Sequence, residues 1–182
     1  MLLAIARMAI ARGTRTDEEL ELASLPTALH CERAVFVTLV TNGGLRGCIG
    51  SLLPSAPLAI AVAEAARAAA HSDPRFPPLA IEELPATCIE ISVLSALERI
   101  AVESRHALLD ALRPGVDGLL LEEGHHRSTF LPKVWDQLPH AEDFLSQLLA
   151  KAGLPADHWS PSIQVHRYTA SNFAETGDPS IT

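Results

Sequence analysis

Cys48 and Arg46 stand two positions apart in the segment NGGLRGCIGSL (residues 42–52), where four glycines crowd one thiol and one guanidinium. If this segment is extended, alternation places Arg46, Cys48 and Gly50 on one face and Leu45, Gly47 and Ile49 on the other. Same-face neighbours in a strand lie roughly 6.5 to 7 Å apart, within reach of a guanidinium that stabilises a thiolate or holds an anionic substrate beside it. Two chemistries follow. In the first, Cys48 is a nucleophile or redox thiol, Arg46 orients the substrate, and Gly47 and Gly50 give backbone access to it. In the second, Cys48 is a small hydrophobe, Arg46 an ion-pair partner, and the glycines let a helix sit close to the sheet.

Other chains of residues offer partners for that thiol. Glu90 lies in TCIEISVL with Cys88, Ser92 and Leu94 on its face, while Thr87, Ile89, Ile91 and Val93 form the apolar face. A carboxylate in so apolar a strand pairs with Arg46 or Arg75, serves as a general base, or faces water. His125 and His126 adjoin a turn in EEGHHRSTFLP, and either one is a candidate base toward Cys48. In DPRFPPL, prolines hold Asp73, Arg75 and Phe76 in a stiff loop that either borders a substrate pocket or pairs Asp73 with Arg75 to cap the preceding helix. Adjacent strand histidines diverge, so a metal would need His71, Asp73, Glu90 or His166 to join them. No HExxH or facial-triad spacing occurs, and neither a metal nor a cofactor is expected.

The elements that must position these groups are legible in outline. AVFVTLV, the turn pair Asn42-Gly43 and LRGCIGSL predict a β-hairpin. MLLAIARMAIARG reads as an amphipathic helix, its apolar run interrupted by Arg7 and Arg12 as a secretory signal would not be. Residues 14–33 read as an acidic surface connection with a short helical start at Thr16 or Asp17. The segment PSAPLAIAVAEAARAAAHS predicts a helix with Leu58, Val62, Ala65 and Ala66 on one face. Further on come a strand over ATCIEISVL, a helix over SRHALLDAL, a hairpin turning near Glu123-Gly124, a helix over AEDFLSQLLAK capped by Gly153, and a strand over SIQVHRYT. Helices inserted between hairpins predict an α+β fold on a mainly antiparallel sheet, with a disordered tail over 176–182.

Composition narrows the partners. Among 182 residues 48% are hydrophobic, enough for a sizeable core, and the net charge of −8 opposes a nucleic-acid surface. Three isolated cysteines without CxxC spacing suit a reducing, cytoplasmic setting, with no Cys48–Cys88 disulfide. No run predicts a membrane span.

The blocks FVTLVTNGGLRGCIGSLLPSAPL, DPRFPPLAIEEL, IEISVLS, GVDGLLLEEGHHRSTFLPKVWDQ and FLSQLLAKAGL together resemble the AMMECR-type domain, for which LRGCIG is the signature, and specifically component A of the AmmeMemoRadiSam system. The resemblance runs from about Arg7 to Glu175. It implies one domain over 1–175 with a larger and a smaller lobe, the LRGCIG segment near the groove between them, and a genomic association with a Memo-like protein, similar to extradiol dioxygenases, and a radical S-adenosylmethionine protein, both of them possible partners. It supplies no reaction. Two functions therefore stand: an enzyme or enzyme component acting through Cys48 on a small anionic molecule or modified side chain, and a non-catalytic binding module for those partners.

Overall fold

The computed structural model describes residues 1–13 and 21–175; the expected helical start at Thr16 or Asp17 and the tail over 176–182 lie outside the described residues. The chain divides into two compact units, Met1–Leu94 with Ser171–Thr182, and Ser95–Ala170. Each has a four-stranded sheet of its own, and the fold is the expected α+β one on mainly antiparallel strands flanked by helices.

In the first unit the strand order is β2 (Gly44–Gly50), β1 (Val35–Thr41), β3 (Thr87–Leu94), β8 (Ala170–Ala174). β1 runs antiparallel to both β2 and β3. The Asn42-Gly43 signal is a two-residue hairpin loop: Thr41 pairs with Gly44, and both loop residues take positive φ, 52° and 74°. Helices α1 (Leu2–Arg12) and α2 (Leu58–His71) pack on the sheet. Ile5, Ala6 and Ile10 of α1 and the small face of α2 close over Val35, Val37, Leu39, Ile89 and Ile91, all buried. α2 carries six buried alanines, and their lack of bulk lets its backbone approach β2. A Cβ added at Gly47 would lie 2.1 Å from the carbonyl oxygen of Ala69, so only glycine fits beneath the helix. Gly50 has a different reason. A Cβ there would meet not the helix but β1, 2.2 Å from the Val35 carbonyl oxygen.

In the second unit the order is β4 (Glu98–Arg99), β7 (Gln164–Tyr168), β5 (Gly118–Glu123), β6 (His126–Phe130), antiparallel throughout. Helix α3 (Arg105–Ala111) begins where the Ser104 hydroxyl accepts from the Ala107 N–H at 3.1 Å. Helix α4 (Ala141–Lys151) buries Phe144, Leu145, Leu148 and Leu149, the inward face its periodicity predicts, with Phe144 stacked on Trp135 at 3.9 Å. Gly153, at φ 78°, turns the chain after α4. The hairpin loop is Gly124-His125, with Glu123 paired to His126 and Gly124 at φ 60°.

β4 and β8 are absent from the sequence reading. β4 has two residues, and ASNFA in β8 has little β-propensity, so both exist through their partners. Among the described residues no helix is long and apolar enough to cross a membrane.

Candidate functional site

The simple alternation expected along β2 breaks at Arg46. Leu39 pairs with Gly47 but Val40 pairs with Leu45, which makes Arg46 an extra, bulged residue. Paired residues share a face, so the bulge moves Leu45 onto the face of Cys48, Thr38 and Val40, and it frees Arg46 from the alternation. The guanidinium of Arg46 grips Glu83 through Nε and Nη2, each at 3.0 Å, and donates to the carbonyls of Pro77 at 2.9 Å and Pro78 at 3.3 Å. Glu83 in turn accepts from the Ala80 N–H at 2.9 Å, and its pKa is lowered chiefly by Arg46. Of the two readings of Arg46, partner of Cys48 or structural ion-pair partner, the second is the one this geometry shows. Arg46 is a clamp that fixes the proline loop and the 3-10 turn Ile81–Ala86 to the hairpin.

The cation at Cys48 is Arg75 instead. Its Nη2 donates to the Cys48 carbonyl at 3.3 Å, and its pKa is raised first by Asp73 and further by the neighbouring Cys48. Asp73, with a side chain only 2% exposed, organises the group. Its Oδ2 accepts from the Cys48 N–H at 2.8 Å and from Arg75 Nη2 at 2.7 Å, while Oδ1 accepts from Arg75 Nε at 2.9 Å and the Arg75 N–H at 3.1 Å. These donors hold the Asp73 carboxyl far below the usual carboxylate range. The loop is pinned further by the Leu79 N–H on the Ala70 carbonyl, 2.7 Å, and the Arg75 guanidinium lies 5.5 Å from the Phe76 ring centroid. The mutual pairing of Asp73 with Arg75 is present, and the pair reaches the hairpin backbone.

Cys48 is half-buried and accepts a hydrogen bond from the Thr38 hydroxyl at 3.3 Å. Thr38 pairs with Cys48 on one side and Glu90 on the other, so the three form one cross-strand row on the sheet face turned away from the helices. Glu90 is half-buried and is not without a partner. Cys48, Thr38, Asp73, Arg75, Phe76 and Glu90 thus belong to the first unit, whereas His125 and His126 belong to the second. The two histidine rings are 4.3 Å apart, and His126 donates through Nδ1 to the Ala152 carbonyl at 2.8 Å, which fixes its tautomer. Among the described residues no cluster of three or more His, Cys, Asp or Glu could hold a metal ion.

Sequence reasoning missed three groups. Thr38 signals itself only through register. Arg7 of α1 holds Glu175 and also donates to the carbonyls of Leu84, 3.0 Å, and Thr87, 2.7 Å, tying the first helix to the end of β8 beside Cys88. In the second unit Glu123 accepts from His158 at 2.5 Å, from Ser160, and from Ser162 at 2.8 Å, and the two serine hydroxyls are the main reason its pKa is lowered. Carboxylate, not imidazole, is the hub of that cluster, so it lacks the order of a nucleophilic triad.

A helix-backed antiparallel hairpin bearing one half-exposed thiol, its backbone gripped by buried Asp73 and half-exposed Arg75, marks an α+β protein. The chain belongs to the AMMECR1 family, whose profile matches residues 3–173. A protein of Methanothermobacter thermautotrophicus is 45% identical, covering 97% of this chain and 93% of its own length. Protein MJ0810 of Methanocaldococcus jannaschii is 37% identical, covering 92% of this chain and 85% of its own. The crystal structure of uncharacterized protein PH0010 from Pyrococcus horikoshii matches with a TM-score of 0.86 at 36% identity, covering 96% of this chain and 90% of that one.

Proposed function

We propose that this protein is an enzyme or enzyme component that acts through Cys48 on a small anionic molecule or a modified side chain. The observation that carries the reading is the Cys48–Asp73–Arg75 group: a half-exposed sulfur that accepts a hydrogen bond from Thr38, on a backbone locked at both its N–H and its C=O. A thiolate there attacks an electrophilic carbon, forming the S–C bond as the bond to the leaving group breaks with its electron pair. The thiol proton passes to Glu90, the titratable side chain in the same cross-strand row, and returns to the leaving group. The remaining donors of Arg75, which is half-exposed, meet the substrate anion. Alkylation of the folded protein with iodoacetamide across pH, mapped by peptide mass spectrometry, tests this. Cys48 modified faster than Cys88, which is also half-buried, supports the reading; a Cys48 that reacts only after unfolding defeats it.

A second reading is favoured by the packing. Gly47 and Gly50 are required by neighbouring backbone and Arg46 by Glu83, so much of the LRGCIG segment has a structural reason. On this reading the chain is a non-catalytic module, similar to component A of the AmmeMemoRadiSam system, that docks a Memo-like, dioxygenase-related protein or a radical S-adenosylmethionine protein. Pull-down with Cys48→Ala separates the two: capture and pathway activity both retained favour the module, and capture retained with activity lost favours the enzyme.

A further inference from the structure

A cavity of about 220 Å³ opens in the first unit where α2 passes the ends of β1 and β2. Buried Val35 and Ala65 and half-buried Ile49 and Ala61 give it an apolar wall, Ser51 and Ser55 also line it, and exposed Arg33 and Glu64 stand at its rim. Ile49 lies on the opposite face of β2 from Cys48, so this space is separate from the thiol.

Among the described residues neither rim charge is in an ion pair. Among the described residues Arg33 donates only to the carbonyl of its neighbour Glu32, at 3.2 Å, and Glu64 has no hydrogen bond or ion pair. Opposite charges that border one cavity without closing on each other leave room for a ligand carrying the complementary pair. A simple carboxylic acid would meet Glu64 as a like charge, and a simple amine would meet Arg33 as one. A plain hydrocarbon would leave both charges idle. The volume is small for a ligand pocket and suits a branched aliphatic chain with a compact polar head.

We propose that the cavity is a binding site for a free aliphatic α-amino acid, its carboxylate on Arg33, its ammonium on Glu64 and its side chain against Val35, Ile49, Ala61 and Ala65. The test is an amide-resolved NMR titration of the full chain with L-leucine, with 4-methylpentanoate, which lacks the ammonium, and with 3-methylbutylamine, which lacks the carboxylate. Leucine is expected to give saturable shifts at Ile49, Gly50, Ala61 and Ala65, and each analogue to bind about tenfold more weakly. Arg33→Gln should erase the preference for leucine over the amine, and Glu64→Gln the preference over the acid. Ala61→Leu, which fills the space, should abolish the shifts while the folded spectrum persists. No saturable shift with millimolar leucine, equal binding of all three probes, or shifts unchanged in a folded Ala61→Leu protein would overturn the assignment.

Discussion

The backbone N–H of Cys48 points at Oδ2 of Asp73, 2.8 Å away, across 25 positions of sequence. One buried carboxylate thereby fixes both the strand that carries the thiol and the arginine that faces it. Substituting either partner should register at the other.

Asp73→Asn keeps the shape of the side chain and removes its charge. Because the folded-state pKa of Asp73 is depressed, its contribution is present above the unfolded value, about pH 4, and fades as pH falls toward the folded value. Denaturant titrations from pH 7 down to 3 are expected to show the native protein losing stability below about pH 4, and Asp73→Asn losing it less steeply. Parallel profiles would contradict the ion-pair assignment.

Arg75 and Arg46 should separate cleanly. Arg75→Leu is expected to slow alkylation of Cys48 near neutral pH several-fold, because the cation beside the sulfur is gone. Arg46→Leu should leave that rate close to native and lower the denaturation midpoint, since it removes the bonds from Arg46 to Glu83, Pro77 and Pro78 and leaves Glu83 only the Ala80 N–H. The opposite pattern would restore Arg46 as the thiol's partner.

Gly47→Ala places a methyl group 2.1 Å from a helix carbonyl, a gap that no side-chain rotation relieves. A loss of at least about 2 kcal/mol in urea denaturation is expected, from forced separation of α2 and β2. Gly43→Ala, in the open hairpin loop, should cost less, because strain at positive φ is its main penalty.

The sole tyrosine, Tyr168, is 1% exposed and burial pushes its phenol up to about 12, partly offset by its hydrogen bond with Thr129. Ultraviolet titration of folded protein should show no phenolate near pH 10, where an unfolded tyrosine ionises. A raised phenol contributes stability below about pH 10 that is lost as pH climbs through 12, so alkaline unfolding and ionisation should coincide. Ionisation at pH 10 in the folded state would show the ring to be accessible.

Local signals survived folding best. Asn42-Gly43 turned where its φ requirement said it would, α2 buried Leu58, Val62, Ala65 and Ala66, and the alternation of β3 placed Ile89 and Ile91 in the core. What failed was local reasoning extended one residue too far. The bulge at Arg46 shifts register by a single position, enough to move Leu45 to the other face and to send the guanidinium toward Glu83. No spacing in LRGCIG marks it, because the bulge is completed by a carboxylate 37 positions away.

By itself the amino-acid order determined the hairpin, the small-residue helix, the amphipathic faces and the α+β class, because each depends on periodicity or on the allowed dihedrals of neighbouring residues. Tertiary structure alone decided that the chain builds two sheets, that ASNFA becomes a strand, and that Arg75 binds the Cys48 backbone carbonyl while Arg46 pairs with Glu83. Those outcomes rest on hydrogen bonds and charges between residues distant in sequence, whose energies exist only once the backbone has brought them within about 3 Å.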